Sequence, residues 1–155
     1  MFDGVRDLYN KTILERGRKP LHMRALADYD ATAKGDNPMC GDRVEVWVKL
    51  AESGVIAETG YKARGCEISV VSADLMVEAV AGHSPAATRA LFSSFRQMVE
   101  TGICADCAKA LQPLQPLSAV HKYKSRIKCA TLPWHALIAA LDGTTASVSS
   151  EGGST

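Results

Sequence analysis

Val44, Val46, Val48 and Leu50 alternate with Arg43, Glu45, Trp47 and Lys49. A period of two is the pattern of a strand with one face buried and the other wet. Glu52-Ser53-Gly54 then turns the chain, and Val55, Ala57, Thr59, Tyr61 and Ala63 alternate back, which predicts a β-hairpin. A hairpin alone is marginal in water, so it must pair with a further segment, pack against helices, or both. Residues 21 to 33 are available for a third strand. Lys34-Gly35-Asp36-Asn37-Pro38 reads as a loop, with Asn37 pushed towards extended geometry by the proline after it.

Helical signals flank the hairpin. Asp3 can cap a helix from about Gly4 to Arg16, with Val5, Leu8, Tyr9, Thr12 and Ile13 on one face and Gly17 ending it. A second helix is expected from about Ile68 to Ala81, stopped by Gly82. Ser84-Pro85 is an N-cap followed by a first-turn proline, opening a helix to about Thr101 with Leu91, Phe92, Phe95, Met98 and Val99 as its apolar stripe. Pro113 and Pro116 limit residues 103 to 120 to a short helix or an irregular segment. The last helix is expected from about Leu132 to Leu141, with Thr131 as N-cap and Pro133 in the first turn.

These elements predict an α+β fold, a small three-stranded antiparallel sheet packed with about five helices. Its core draws on Val44, Val46, Val48, Val55, Leu75, Phe92, Phe95 and Leu137. A chain of 155 residues suits one domain, expected over residues 1–142. Gly143 to Thr155 is Ser, Thr and Gly with almost nothing apolar, and is expected to be a disordered tail.

Lys plus Arg is 18 and Asp plus Glu is 17, a balance that gives no support to nucleic-acid binding or to polybasic membrane contact. No apolar run reaches the roughly 18 residues needed to span a bilayer. Met1-Phe2-Asp3-Gly4-Val5-Arg6 lacks the basic and then apolar regions of a signal peptide. Five cysteines, an odd number, in such a chain point to a reducing compartment, and the cytoplasm is the expected location.

Three of those cysteines stand in distinctive frames: Asn37-Pro38-Met39-Cys40-Gly41-Asp42, Arg64-Gly65-Cys66 and Arg126-Ile127-Lys128-Cys129-Ala130-Thr131-Leu132. Cys40 and Asp42 share the parity of Val44 and Val46, so an extended chain turns both towards the packed side. Cys66 and Cys129 are each expected just ahead of a helix, where free N–H groups and the dipole favour thiolate over thiol. If the fold gathers Cys40, Asp42, Cys66 and Cys129, three thiolates and a carboxylate surround one tetrahedral soft metal. Zinc is the first candidate and an iron–sulfur cluster the second. Each cysteine taken alone is equally compatible with a small buried hydrophobe.

Taken together and in this order, the frames resemble the U-type iron–sulfur assembly proteins, the family of IscU, the N-terminal domain of NifU, and SufU. The resemblance spans roughly residues 5 to 141 and includes Asp7-Leu8-Tyr9, Ile13-Leu14, and Ser69, Ser72 and Ala73 after Cys66. In IscU-type members a histidine precedes the last cysteine. Lys128 stands there in this chain, and an ammonium has no lone pair to offer a metal. The long stretch from Thr101 to Cys129 and the frame Arg126 to Leu132 look like SufU-type members.

That resemblance implies zinc held by Cys40, Asp42, Cys66 and Cys129, and sulfur transfer from a SufS-type cysteine desulfurase towards downstream iron–sulfur assembly proteins. Cys40 would be the acceptor, released when a desulfurase histidine enters the zinc shell, and Arg126 would help dock the desulfurase. A scaffold for a [2Fe-2S] cluster is the alternative. Glu67 and Cys104-Ala105-Asp106-Cys107 depart from the family pattern. Glu67 is expected to point to solvent; the Cys-x-x-Cys is redox-active, half of a zinc site that no second pair accompanies, or without function. His22, His83, His121 and His135 lack ligand-like spacing, and His135 is expected to be a packing residue.

Overall fold

The alternation at residues 43–50 becomes the middle strand of the sheet. In the computed structural model, which describes residues 11–38, 41–104, 108–143 and 148–149, β2 (Asp42–Leu50) pairs antiparallel with β1 (Ala31–Asn37) and with β3 (Ile56–Arg64). Val44, Val46 and Val48 are buried, with Val46 between Ala33 and Tyr61 across the strands. A register shift at Lys49/Leu50 pairs Leu50 with Ile56. Ile56 therefore enters the core while Val55 is only half-buried, and the expected alternation of β3 holds from Thr59 onwards.

β1 differs from expectation: it runs through Lys34-Gly35-Asp36-Asn37, the stretch that looked like a loop. Its inward positions are Ala31, Ala33, Gly35 and Asn37. These small or polar residues leave no hydrophobic alternation to detect, and pairing with β2 makes the strand. A two-residue strand, β4 (Val148–Ser149), joins β1 in parallel at the sheet edge.

The helices cover the inner face of the sheet. α2 (Glu67–Val80) packs against β3 and is buried on nearly every side, so it is the central helix of the domain. α1 (Lys11–Arg18) lies against it and continues past Gly17; the earlier part of the expected first helix lies outside the described residues. α3 (Pro85–Thr101) begins where expected, with Ser84 Oγ accepting from the Ala87 N–H at 3.1 Å. It ends on Gly102, whose φ of +82° and N–H bond to the Met98 carbonyl form the C-cap.

Residues Lys109–Lys122 form a 3₁₀ helix, η1. Leu111, Leu114, Leu117 and Val120, all fully buried, recur every three residues. Three residues per turn puts them on one line facing the core, and Pro113 and Pro116 fall on the same period.

α4 (Lys124–Leu141) crosses β1 and β2, and it starts seven residues before Thr131. Pro133 therefore sits inside the helix rather than in its first turn. Trp134 stacks on Phe95, with ring centroids 4.9 Å apart, and His135 meets the ring of half-buried Phe92 edge-on at 5.0 Å, the packing role expected of it. No helix of the described residues is long and apolar enough to cross a membrane.

Candidate metal centre

Asp42, the first residue of β2, has the inward parity of Val44 and is fully buried. The chain returns past it at Gly65, whose φ is +115° and where a Cβ would stand 2.4 Å from Asp42 Oδ1. Only glycine satisfies both conditions. The Cys66 N–H donates to Asp42 Oδ1 at 2.7 Å. Ser69, one turn into α2, places its hydroxyl 3.0 Å from Asp42 Oδ2 and 3.0 Å from the Cys129 carbonyl. Pro133 has no N–H to bond that carbonyl in the helix, which frees it for Ser69.

Cys66 is the N-cap of α2, as its place before a helix suggested. Its Sγ accepts from the Ile68 N–H at 3.4 Å and from Arg126 Nη1 at 3.1 Å. Cys129 is fully buried inside α4, not ahead of it, so the helix dipole expected to favour its thiolate is lacking. The two thiols form a coupled pair. A hydrogen bond from Cys129 draws the Cys66 pKa down to about 6 against the opposing effect of burial, helped by the Ile68 N–H and the Arg126 charge. Cys129 shifts upwards, because it donates to Cys66 and is buried. Near neutral pH this pairing favours the thiolate on Cys66 and keeps the proton on Cys129.

One carboxylate oxygen of Asp42 and the sulfurs of Cys66 and Cys129 all lie within 4.8 Å of one another. Tetrahedral zinc with bonds of about 2.3 Å to sulfur needs sulfurs about 3.8 Å apart, so this donor set fits one such ion. Three remote parts of the chain, at the starts of β2 and α2 and inside α4, supply it. Cys40, in the four-residue connection between β1 and β2, lies outside the described residues. Arg126 is three residues before Cys129 in α4, and its guanidinium faces the Cys66 sulfur.

One other expectation changes. Glu67 does not simply point to solvent: its Oε1 is buried, close to Gly17, and has no hydrogen-bond partner among the described residues. Cys104 is disulfide-bonded, while Cys107 lies outside the described residues. His22, Asp74 and Glu78 also bring ligand atoms within 4.8 Å of one another, a grouping that residue spacing did not signal. Arg16 Nη1 already supplies the positive charge there, 3.0 Å from Asp74 and 2.8 Å from Glu78. That cluster is an ion-pair network.

Residues 8–130 match the NifU-like N terminal domain. The chain belongs to that family. Among relatives of this NifU-like domain is the zinc-dependent sulfurtransferase SufU of Bacillus subtilis, 32% identical over 130 residues, 84% of this chain and 86% of that one. The iron–sulfur cluster assembly scaffold protein IscU of Streptococcus pyogenes is 34% identical over 134 residues, 86% of this chain and 82% of its own. The fold is that of a NifU-like N-terminal protein from Brucella abortus (TM-score 0.80, 23% identity, 90% of this chain and 96% of that one). It is also that of an assembly scaffold for the SUF system from Fervidobacterium islandicum (TM-score 0.78, 24% identity, 86% and 96%). Both share the α+β arrangement expected from the hairpin and its flanking helices.

Proposed function

We propose that this NifU-like domain is a zinc-dependent sulfurtransferase that accepts persulfide sulfur from a SufS-type cysteine desulfurase and passes it to iron–sulfur cluster assembly. The observation that carries the reading is the convergence of Asp42, Cys66 and Cys129, with Arg126 on the Cys66 sulfur and Lys128 where a scaffold-type histidine would stand. The similarity to a zinc-dependent SufU supports the same choice. Asp42, Cys66 and Cys129, with Cys40 from the neighbouring connection, would hold the zinc.

Zinc would keep the sulfurs deprotonated and protected until one is exchanged. Gly65 and Ser69 hold Asp42 in place, and Arg126 compensates thiolate charge at Cys66. Once freed, the Cys40 thiolate attacks the outer sulfur of the donor persulfide. A new S–S bond forms to Cys40, the donor S–S bond breaks, and the donor cysteine leaves as thiolate. The acceptor is oxidised to the persulfide level as the donor is reduced, with no external electron source.

Mixing the protein with desulfurase and cysteine, then mapping persulfides by mass spectrometry, tests this directly. Protein purified without added metal is expected to carry zinc and no visible absorption, with a persulfide on Cys40. Brown protein after anaerobic reconstitution, with no persulfide, would instead support a [2Fe-2S] scaffold, the activity named for the IscU relative.

Gly65→Ala probes the carboxylate. A methyl group there must displace Asp42, so zinc affinity measured by chelator competition is expected to fall about 10- to 100-fold, the range for disturbing the groups that orient a ligand. Unchanged affinity would remove Asp42 from the ligand set.

A further inference from the structure

The outer face of the sheet carries charge that the proposed chemistry does not use. Arg43 stands directly opposite Arg64, and Asp36 opposite Arg43 on its other side; the next row is Lys34, Glu45 and Lys62. Four cations and two anions thus share two adjoining rows, and Lys34, Arg43, Lys62 and Arg64 are all exposed. They rim a concavity of about 580 Å³. Among the described residues none of the six takes part in an ion pair, although the anions stand beside the cations. Arg16, Arg24, Lys49, Arg89 and Arg96 all have carboxylate partners. Like charges directly opposite on a sheet destabilise it, so the Arg43–Arg64 pair is a local cost that no ion pair among the described residues offsets.

The place of this pair matters. Alternation turns Arg43 outwards immediately after inward Asp42, and Arg64 outwards two residues before Cys66. The basic face therefore ends at the rim of the thiol cluster. We propose that it is the docking surface for an acidic segment of the protein that delivers sulfur, seated so that the donor persulfide reaches the cluster at the end of β2 and β3. This rests on the sulfur-acceptor reading above and adds the surface that recognises the donor. Charge complementarity selects the occupant, because an excess of unpaired cations attracts carboxylates and steers their approach.

Arg43→Glu, Arg64→Glu and the double variant test it, with Lys109→Glu on η1 as the control. The readout is the protein concentration giving half-maximal stimulation of the desulfurase, at low salt and at about 0.5 M salt, where screening reaches only about 4 Å. At low salt the double variant is expected to need about tenfold more protein, with the gap closing at high salt. The control should match the unchanged protein. Zinc content should stay that of the unchanged protein in every variant, and the melting temperature should not fall in the single variants, where an opposite-charge pair replaces a like-charge one, which separates docking from folding and metal binding. An unshifted double variant overturns the docking surface and leaves the sulfur-acceptor reading standing. Unchanged protein that fails to stimulate the desulfurase rejects both. A dimer that sediments as such and is lost in the double variant would make a second copy of this chain the occupant, and would also overturn the proposal.

Discussion

Cys66→Ala and Cys129→Ala are each expected to lose tight zinc binding and, with it, stimulation of the desulfurase. Disturbing groups that merely orient ligands already costs about 10- to 100-fold in affinity, so removing a thiolate should cost at least about 100-fold. Metal analysis after gel filtration, with circular dichroism to confirm the fold, checks this. Full zinc retention by either variant would take that sulfur out of the site. The coupled pair also sets the pH dependence. Binding requires both sulfurs as thiolates, and above about pH 6 only the Cys129 proton must leave, because Cys66 is already ionised. Below about pH 6 Cys66 is protonated as well and two protons must leave. Zinc affinity should therefore fall with decreasing pH, and the slope contributed by this pair should steepen from one proton to two near pH 6. Chelator competition on the unchanged protein across that range reads the break, and a constant slope through pH 6 would overturn it.

Asp74→Ala is expected to be the most destabilising single change away from the thiols. Asp74 is fully buried in α2 and accepts from Arg16 at 3.0 Å, the Leu21 N–H at 3.0 Å, the His22 N–H at 2.8 Å and the Tyr61 hydroxyl at 2.8 Å. One carboxylate thus ties α1, the chain leaving it, and β3 to the central helix. Burial and the bond to Asp74 push the Tyr61 pKa upwards, so its hydroxyl stays a donor throughout the ordinary pH range. Removing the acceptor strands that hydroxyl, two backbone N–H groups and part of the Arg16 charge. Breaking a buried charged pair costs about 3–5 kcal/mol, roughly 10–15 °C in melting temperature for a domain of this size. Thermal unfolding followed by circular dichroism measures it, and a shift of only one or two degrees would show that the four donors find water instead. Asp74→Asn, which keeps the shape and an acceptor oxygen, should fall between.

Asp74 was invisible in the sequence because its four donors come from segments 13 to 58 residues away. The third strand was expected within residues 21 to 33 but runs over Ala31–Asn37, because its inward residues are too small to alternate in hydrophobicity. η1 was expected only as a short helix or an irregular segment, because its three-residue period matches neither the helical nor the strand template and two prolines interrupt it. α4 was read eight residues short because Pro133 looked like a helix start, whereas the structure has it free a carbonyl for Ser69.

Local chemistry was legible from the chain alone: the strand parity of Val44 to Val48, the Ser84 cap with Pro85, and the glycine stop at Gly82. The cysteine frames likewise pointed to the family, because such signals act over a few neighbouring residues. Whether Asp42, Cys66 and Cys129 meet depended on the packing of α4 across the sheet, on the β2–β3 register that brings Gly65 against Asp42, and on a carbonyl released by a proline. Each of these is a contact between segments distant in sequence, so no local pattern encodes it, and only the assembled fold decides it.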